Sequence, residues 1–394
     1  MYPVPLLPNL FPIKLSPGWL LPVSVPDPVE HRRTPRILIL LKKNYVYGSH
    51  TTKVGLQNSV ELLAAGLREI GMEVITAICE DGNSIDREVH RNKPNICILE
   101  ALWYTPEKLL ELQKLHPRVL FISRINSKIP FLAMEGMSIG WLAAYLKGNF
   151  AVKQPNVIIG VNNAQCSDDL ESVNIFNHYL PNIYPGLTPR TVGNGEKLLQ
   201  EISFTLDISH EHCSDTIHIG CFGAVRPLKN QLIQAVAAIR WADEQGLKLV
   251  FHMNTERLEQ KGEEPLKNIR ALFAANPSHI LLEHGWLDHI EFLQLVGTMN
   301  INLQVSYTES FNIVTADSVS QSVPVIVSHD IDWMPDMCKA DPNDSRDIAR
   351  KMDIVYRHKS YAMRKTIGAL NTYNQEALVV WKNFFRTGFV RSFL

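Results

Sequence analysis

The chain has 394 residues, 45% of them hydrophobic and 20% charged, which is the balance of a globular protein with apolar material for two cores rather than one. With 39 Lys and Arg against 40 Asp and Glu, the formal net charge is −1. No global charge therefore advertises a polyanion partner, and only a local basic cleft stays open. No run of about 18 apolar residues occurs, so no helix is expected to span a membrane.

The first thirty residues hold eight of the 23 prolines. These break the apolar stretch that a signal peptide needs, and residues 1–34 read as a Pro-rich extended arm. The six cysteines include no CxxC pair, and Cys79 and Cys97 sit inside apolar runs. They read as buried thiols of a cytoplasmic chain rather than a disulfide framework.

From residue 35 onward, apolar runs alternate with amphipathic stretches, the pattern of an α/β fold with parallel sheets. Arg36–Leu41 is the first expected strand. Gly55–Gly71 follows as a helix with Leu56, Val60, Leu63, Leu67 and Ile70 on one face. Strands are expected at Glu73–Ile78, Ile96–Leu99, Val119–Ile122 and Val157–Val161, with a helix over Ile129–Leu146. These complete a first Rossmann-like domain over 35–195. After a polar stretch around Asp207–Asp215 the pattern restarts. Strands at Ile217–Phe222, Leu247–His252, Ile280–Glu283, Ile301–Val305 and Val323–Val327 alternate with helices at Gln231–Gln245, Leu266–Ala275, Ile290–Met299 and Ile313–Ser320. This second Rossmann-like domain spans 196–375, and the helical segment 376–394 is expected to pack back on the first. Two facing domains of this kind bind ligands in the cleft at the carboxyl ends of their strands.

Two segments carry chemistry. In Ser306–Ser328, Glu309 follows a strand and Asp317 falls about one turn into the next helix. The amides of Phe311–Val314 between them form a helix N-terminus suited to a diphosphate. The carboxylates would accept hydrogen bonds from a sugar and a ribose. Spacing alone equally allows a loop charge and an exposed helix residue. In Gly220–Gln231, a strand ends at Phe222, Gly223 permits a tight turn, and Arg226 and Lys229 precede a helix. Two cations there can neutralise a departing diphosphate, or simply form a solvated basic turn.

These two segments resemble the carboxyl-terminal half of family-4 retaining glycosyltransferases of the GT-B fold. The family pattern has two acidic residues separated by seven, then Pro-Val; here it reads Glu309, Asp317 and Pro324-Val325. The resemblance implies that Glu309 contacts the donor sugar and Asp317 the ribose. The family's Gly, followed six residues on by Lys, aligns with Gly223 and Lys229; its Arg position is Ala224, and Arg226 is the candidate substitute. Phe311, Asn312 and Ile313 align with the donor segment, with Asn312 where the family has Gly. His284-Gly285-Trp286-Leu287 is similar to the loop beside the nucleotide base, with His284 and Leu287 as donor-side candidates. Asn182–Pro185 resembles the segment that ends the first domain. Arg124–Gly136, Ala101–Trp103 and Gly55–Ser59 look like a subgroup often encoded by bacterial viruses.

The resemblance implies a metal-independent retaining transfer from a nucleoside-diphosphate sugar, with no cofactor. Lys229, Arg226 and the helix N-terminus would stabilise the leaving diphosphate. Acceptor-side candidates are His50, Arg124, Asn126, Lys128 and Glu135, just beyond first-domain strands; a structural loop reads equally well there. The viral subgroup implies a hydroxylated or hydroxymethylated DNA base as acceptor, which requires a basic groove around Arg124 and Lys128, extended by Lys42 and Lys43. His210-Glu211-His212-Cys213 lacks metal-ligand spacing, so no metal is expected. A nucleotide-sugar epimerase of the same fold, and a noncatalytic nucleotide-sugar or nucleic-acid binding protein, remain alternatives.

Overall fold

The computed structural model describes residues 34–43, 55–185 and 215–393. The Pro-rich arm, His50, the 195/196 domain junction and the His210–Cys213 segment lie outside them. The first sheet contains β1 (Arg36–Lys42), β2 (Glu73–Cys79), β3 (Ile96–Glu100), β4 (Leu120–Ile125), β5 (Val157–Val161) and β6 (His178–Tyr179). The second contains β7 (Thr216–Gly220), β8 (Lys248–Asn254), β9 (Ile280–His284), β10 (Ile301–Gln304), β11 (Val325–Ser328) and β12 (Lys339–Ala340).

All strand pairs within the two sheets are parallel. The orders are β2-β1-β3-β4-β5-β6 and β12-β11-β10-β7-β8-β9. Both faces of each sheet are covered by helices, which is why β1, β3 and β5 read as unbroken apolar runs and are buried along almost their whole length. The two-residue strands β6 and β12 are too short to leave a sequence pattern.

In each sheet the strand order reverses beside the first strand of the unit, between β1 and β3 and between β7 and β10. Loops leaving neighbouring strands at such a point diverge to opposite faces and open a crevice. The second crevice matters most here, because the turn after β7 carries Lys229 and the loop after β10 carries Glu309.

The expected helix over Ile129–Leu146 is instead two pieces, Ile129–Leu132 and Ser138–Gly148. Gly136 weakens the helix between them. The Ser138 hydroxyl lies 2.9 and 3.0 Å from the carbonyls of Leu132 and Glu135 and shares its one proton between them, turning back over the preceding turn. The last long helix, Lys359–Arg386, starts against second-domain core residues through Ala362 and Leu370. It ends with Ala377, Trp381, Phe384 and Phe385 packed among Ile37, Ile39, Val60 and Leu67 of the first domain. Trp381 Nε1 donates to the Pro181 carbonyl at 2.9 Å, and Asn374 exchanges hydrogen bonds with the backbone of Tyr184. Of the cysteines, Cys79, Cys97, Cys166, Cys221 and Cys338 are buried free thiols.

Close approach of β7 to β10 is what brings the loops of Lys229 and Glu309 together. A Cβ added at Gly220 would lie 2.1 Å from Asn302 Oδ1 and 2.3 Å from the Phe222 ring. Asn302 is fully buried and its amide donates to Ser318 Oγ at 3.0 Å, locking the helix Ile313–Ser320 onto β10. Gly220→Ala is therefore expected to lower stability by about 1–3 kcal/mol through overpacking. Urea denaturation checks this, and an unchanged midpoint would mean that the β7–β10 spacing is not tightly set.

Candidate functional site

A cavity of about 650 Å³ opens at the carboxyl ends of both sheets and is lined by both domains. On the second-domain side, Gly223 has φ +114°, a conformation that side-chain-bearing residues rarely adopt, and so makes the turn after β7. Its amide donates to Asn254 Oδ1. The turn continues as a 3₁₀ segment, Pro227–Lys229, ending at Asn230, whose buried amide donates to the carbonyls of Val305 and Pro342 at 3.0 and 2.7 Å. Asn230 thus ties the turn after β7 to the end of β10. It holds Lys229 with its ammonium 2.5 Å from Glu309 Oε1, both side chains being largely buried.

Burial works to raise the Glu309 carboxyl, but the charges of Lys229 and Arg226 outweigh it and hold the group below its ordinary range. Glu309 is therefore ionised at neutral pH. Its amide donates to Asp330 Oδ2 at 3.1 Å, which fixes the loop from behind. Arg226 pairs with Glu259 at 2.9 Å, and its guanidinium lies 4.8 Å from the centre of the Phe131 ring, across the cleft in the first domain. Its buried Nε has no hydrogen-bond partner among the described residues. Arg257 shares Glu259 and lies over Trp286, 5.3 Å from its ring centre.

The helix Ile313–Ser320 begins at Asn312, with φ 55°. The Asn312 side chain accepts from the Thr315 amide at 2.9 Å and donates to Gln304 Oε1 at 3.0 Å. Ile313 and Val314 line the cavity at the helix start, where backbone amides lack intrahelical partners. Asp317 also lines the cavity and is only 1% exposed, so it is not the solvated helix residue that spacing alone allowed. Its Oδ1 meets the Tyr184 hydroxyl and His289 Nε2, each at 2.9 Å. Tyr184 follows β6 of the first sheet, so this carboxylate also joins the two halves.

Several expected residues sit elsewhere. Phe311 faces the core, stacked on Trp333 and Tyr373. His284 is not on the cavity wall. Its Nε2 lies 2.9 Å from His252 Nδ1, and His252 Nε2 lies 2.9 Å from His218 Nδ1, forming a row of three imidazoles across β7, β8 and β9. The neighbouring Leu287 does line the cavity.

Arg124 is not at the cleft edge either. It is 1% exposed, pairs with the buried carboxylate of Glu100 at 2.8 Å, and donates to Asn182 and to the Leu180 carbonyl. Glu100 and Arg124 are register partners on β3 and β4, so two charges compensate each other within the sheet. Asn126 lines the cavity, but its side chain serves the same network, donating to Glu100 at 2.6 Å. Lys128 lines it too, with its ammonium 3.2 Å from Gln165 Oε1 and 3.1 Å from the Asp330 carbonyl. Glu135 stands at the mouth, where partial burial raises its carboxyl. Lys43 pairs with Glu80 at 2.8 Å. The expected basic groove around Arg124 and Lys128 is thus not formed by these side chains.

Sequence reasoning missed Arg257, Glu259, His289 and Thr308, all on the cavity. Of these, His289 had a local signal, being the first residue after the Asp288 N-cap of the helix that follows the 284–287 loop. Thr308 Oγ1 is buried and has no partner among the described residues.

No protein-family model matches the sequence, and no curated protein compared with it does so. The fold itself has clear counterparts. The Anabaena protein Alr3699/HepE in complex with UDP and glucose superposes with a TM-score of 0.60 at 12% identity, over 89% of this chain and 100% of that one. A UDP-forming α,α-trehalose-phosphate synthase from Burkholderia xenovorans gives 0.59 at 10% identity, over 91% and 99%. An E. coli trehalose-6-phosphate protein bound with UDP-2-fluoro glucose gives 0.60 at 10%, over 90% and 99%. The chain has the GT-B fold.

The imidazole row yields a pH test. Burial pushes His252 well below its ordinary value and His284 down to about 4. The unfolded chain, with ordinary histidines near 6.5, then binds protons that the folded chain refuses. Stability from these groups is complete above that value and falls as the pH drops from 6.5 toward 4. Urea midpoints measured across this window should decline, and His252→Phe should flatten the decline. An equal slope in the variant would contradict the assignment.

Proposed function

We propose that this chain is a glycosyltransferase that moves a sugar from a nucleoside-diphosphate sugar to an acceptor hydroxyl with retention of anomeric configuration. The observation that carries the reading is the buried Lys229–Glu309 pair, facing the same cavity as Asp317 and the Ile313–Ser320 helix N-terminus. It lies on a fold whose counterparts include proteins bound to UDP, glucose and a UDP-sugar analogue.

In this reading the diphosphate lies against the amides of Ile313 and Val314 and the ammonium of Lys229. The bond between the anomeric carbon and the diphosphate oxygen breaks, and its electron pair leaves with the diphosphate. The acceptor oxygen bonds to the anomeric carbon from the same face, and its proton passes to the departing phosphate oxygen. Lys229 and the helix N-terminus stabilise the charge that develops on that oxygen. Ionised Glu309 accepts hydrogen bonds from the sugar hydroxyls. Asp317 meets the ribose with the carboxylate oxygen that Tyr184 and His289 do not use. The unpartnered Arg226 Nε points to a further diphosphate contact. Lys229 takes the role that a divalent ion would otherwise fill, so the transfer is metal-independent.

A DNA base as acceptor draws no support from the first-domain wall, where Arg124 is buried in an ion pair. The epimerase and binding-protein readings are separated from transfer by whether donor consumption needs an acceptor.

The test is a screen of nucleotide sugars for release of nucleoside diphosphate, with and without acceptors. Glu309→Gln and Lys229→Met are each expected to lower kcat by roughly 10²–10³-fold, the range for loss of one preorganised charge-stabilising group. Addition of EDTA should leave the rate unchanged. Donor isomerisation without an acceptor would favour an epimerase, and binding without release under all conditions would favour a noncatalytic protein.

A further inference from the structure

The acceptor side of the cleft has a chemistry of its own. Its first-domain wall presents Leu56, Leu102, Phe131 and Leu132 beside the polar side chains of Asn58, Asn126 and Ser127. Among the described residues on this wall the ionisable side chains are Lys128 and Glu135. The Lys128 ammonium is already held by Gln165 and the Asp330 carbonyl, and lies 3.6 Å from the Asp330 carboxylate. Arg124, the other cation of this segment, is buried against Glu100. Among the described residues of this wall, a phosphate-bearing acceptor would thus meet the carboxylate of Glu135 and no uncommitted cation. Anion recognition requires the opposite arrangement.

A second observation points to a ligand. Asn58 lines the cavity with 9% exposure, and its Oδ1 is buried without a hydrogen-bond partner among the described residues. A buried amide oxygen left unpaired costs roughly 1–3 kcal/mol, which a donor supplied by a ligand relieves. Asn58 lies one turn into the helix Gly55–Glu69, and the start of that helix abuts the donor-side helix: a Cβ at Gly55 would stand 3.7 Å from Ile313 Cγ2. The unsatisfied oxygen thus belongs to a residue that lines the same cavity as Ile313, one turn along a helix whose start faces that residue.

We propose that the acceptor is an uncharged hydroxyl compound with an apolar body, such as an alkyl or aryl glycoside, held by a hydrogen bond to Asn58 Oδ1 and by packing on Leu56, Leu102, Phe131 and Leu132. The assignment rests on the glycosyl-transfer reading and narrows its acceptor. Glu135, which also lines the cavity, accepts a second hydroxyl. The reaction balances as above: the reacting hydroxyl loses its proton to the departing diphosphate, and its oxygen forms the new glycosidic bond.

The experiment compares octyl β-glucoside, glucose 6-phosphate and a hydroxymethylcytosine-containing oligonucleotide as acceptors with one nucleotide sugar, alongside calorimetric binding of UDP to the full chain. The expected result is a kcat/KM for octyl glucoside at least about tenfold above the other two, the effect of a single well-placed interaction. Asn58→Leu should raise the KM for octyl glucoside about tenfold. Leu102→Lys should move preference toward glucose 6-phosphate, a gain that misfolding cannot mimic. Faster transfer to the sugar phosphate or to DNA, or no binding of octyl glucoside beside bound UDP, would overturn the acceptor assignment while leaving glycosyl transfer standing. Absence of both UDP binding and donor turnover would remove both readings.

Discussion

The Lys229–Glu309 ion pair is the constraint around which the rest of the site is arranged. Opposite charges buried this deeply gain little net stability, because each loses its water. What they gain is position. The pair exists because β7 and β10 are neighbours across the strand-order reversal, so the turn after one and the loop after the other meet over the same crevice. Gly220 allows the strands to approach, Asn230 ties the two loops, and Asp330 supports Glu309 from behind. An ammonium held this way needs no reorganisation when negative charge develops on a diphosphate, which is the property that electrostatic catalysis requires.

The same logic explains why the two domains form one site. Tyr184 reaches Asp317, Ser310 Oγ donates to the Asn126 carbonyl, and Asn162 donates to Ser310. Arg226 lies over Phe131, and Lys128 meets Asp330. These are single polar or cation–ring contacts rather than a broad apolar seam, except where the last long helix carries Trp381 into the first-domain core. Contacts of this kind are individually weak and exchange readily with ligand groups, so they suit a cleft that opens to admit substrate and closes to exclude water.

Much of the architecture was legible because parallel strands buried on both faces must be apolar throughout, and the runs at β1, β3, β5 and β8 left little ambiguity. The break at Ala133–Met137 was not, since it depends on Ser138 turning back to cap the preceding turn. On the donor side, spacing identified Glu309, Asp317 and Lys229 as candidates, and all three reach one cavity. It could not reveal that Asp317 is shared with His289 and Tyr184, or that Arg257 and Glu259 join from the segment after β8, because these relations depend on strand order. Arg124 shows the same limit. As a sequence it is a cation at the end of a strand, and only the pairing of β3 with β4 turns it into the buried partner of Glu100. Complementary charges at matching ends of two apolar strands were the available signal. Phe311 and His284 aligned with a family pattern yet turn away from the cavity, Phe311 into the core and His284 onto the imidazole row, since alignment fixes backbone position better than side-chain direction.

The most direct measurement is calorimetric titration of UDP into the wild-type chain and into the double variant Lys229→Met/Glu309→Gln. The double substitution removes both charges at nearly constant volume, so neither partner is left buried and uncompensated. If the pair is the diphosphate-facing half of a donor site, the variant should remain folded and bind UDP at least about tenfold more weakly, a loss of about 1.4 kcal/mol. A folded variant that binds UDP as tightly as the wild type would reduce the pair to a structural contact and contradict the account.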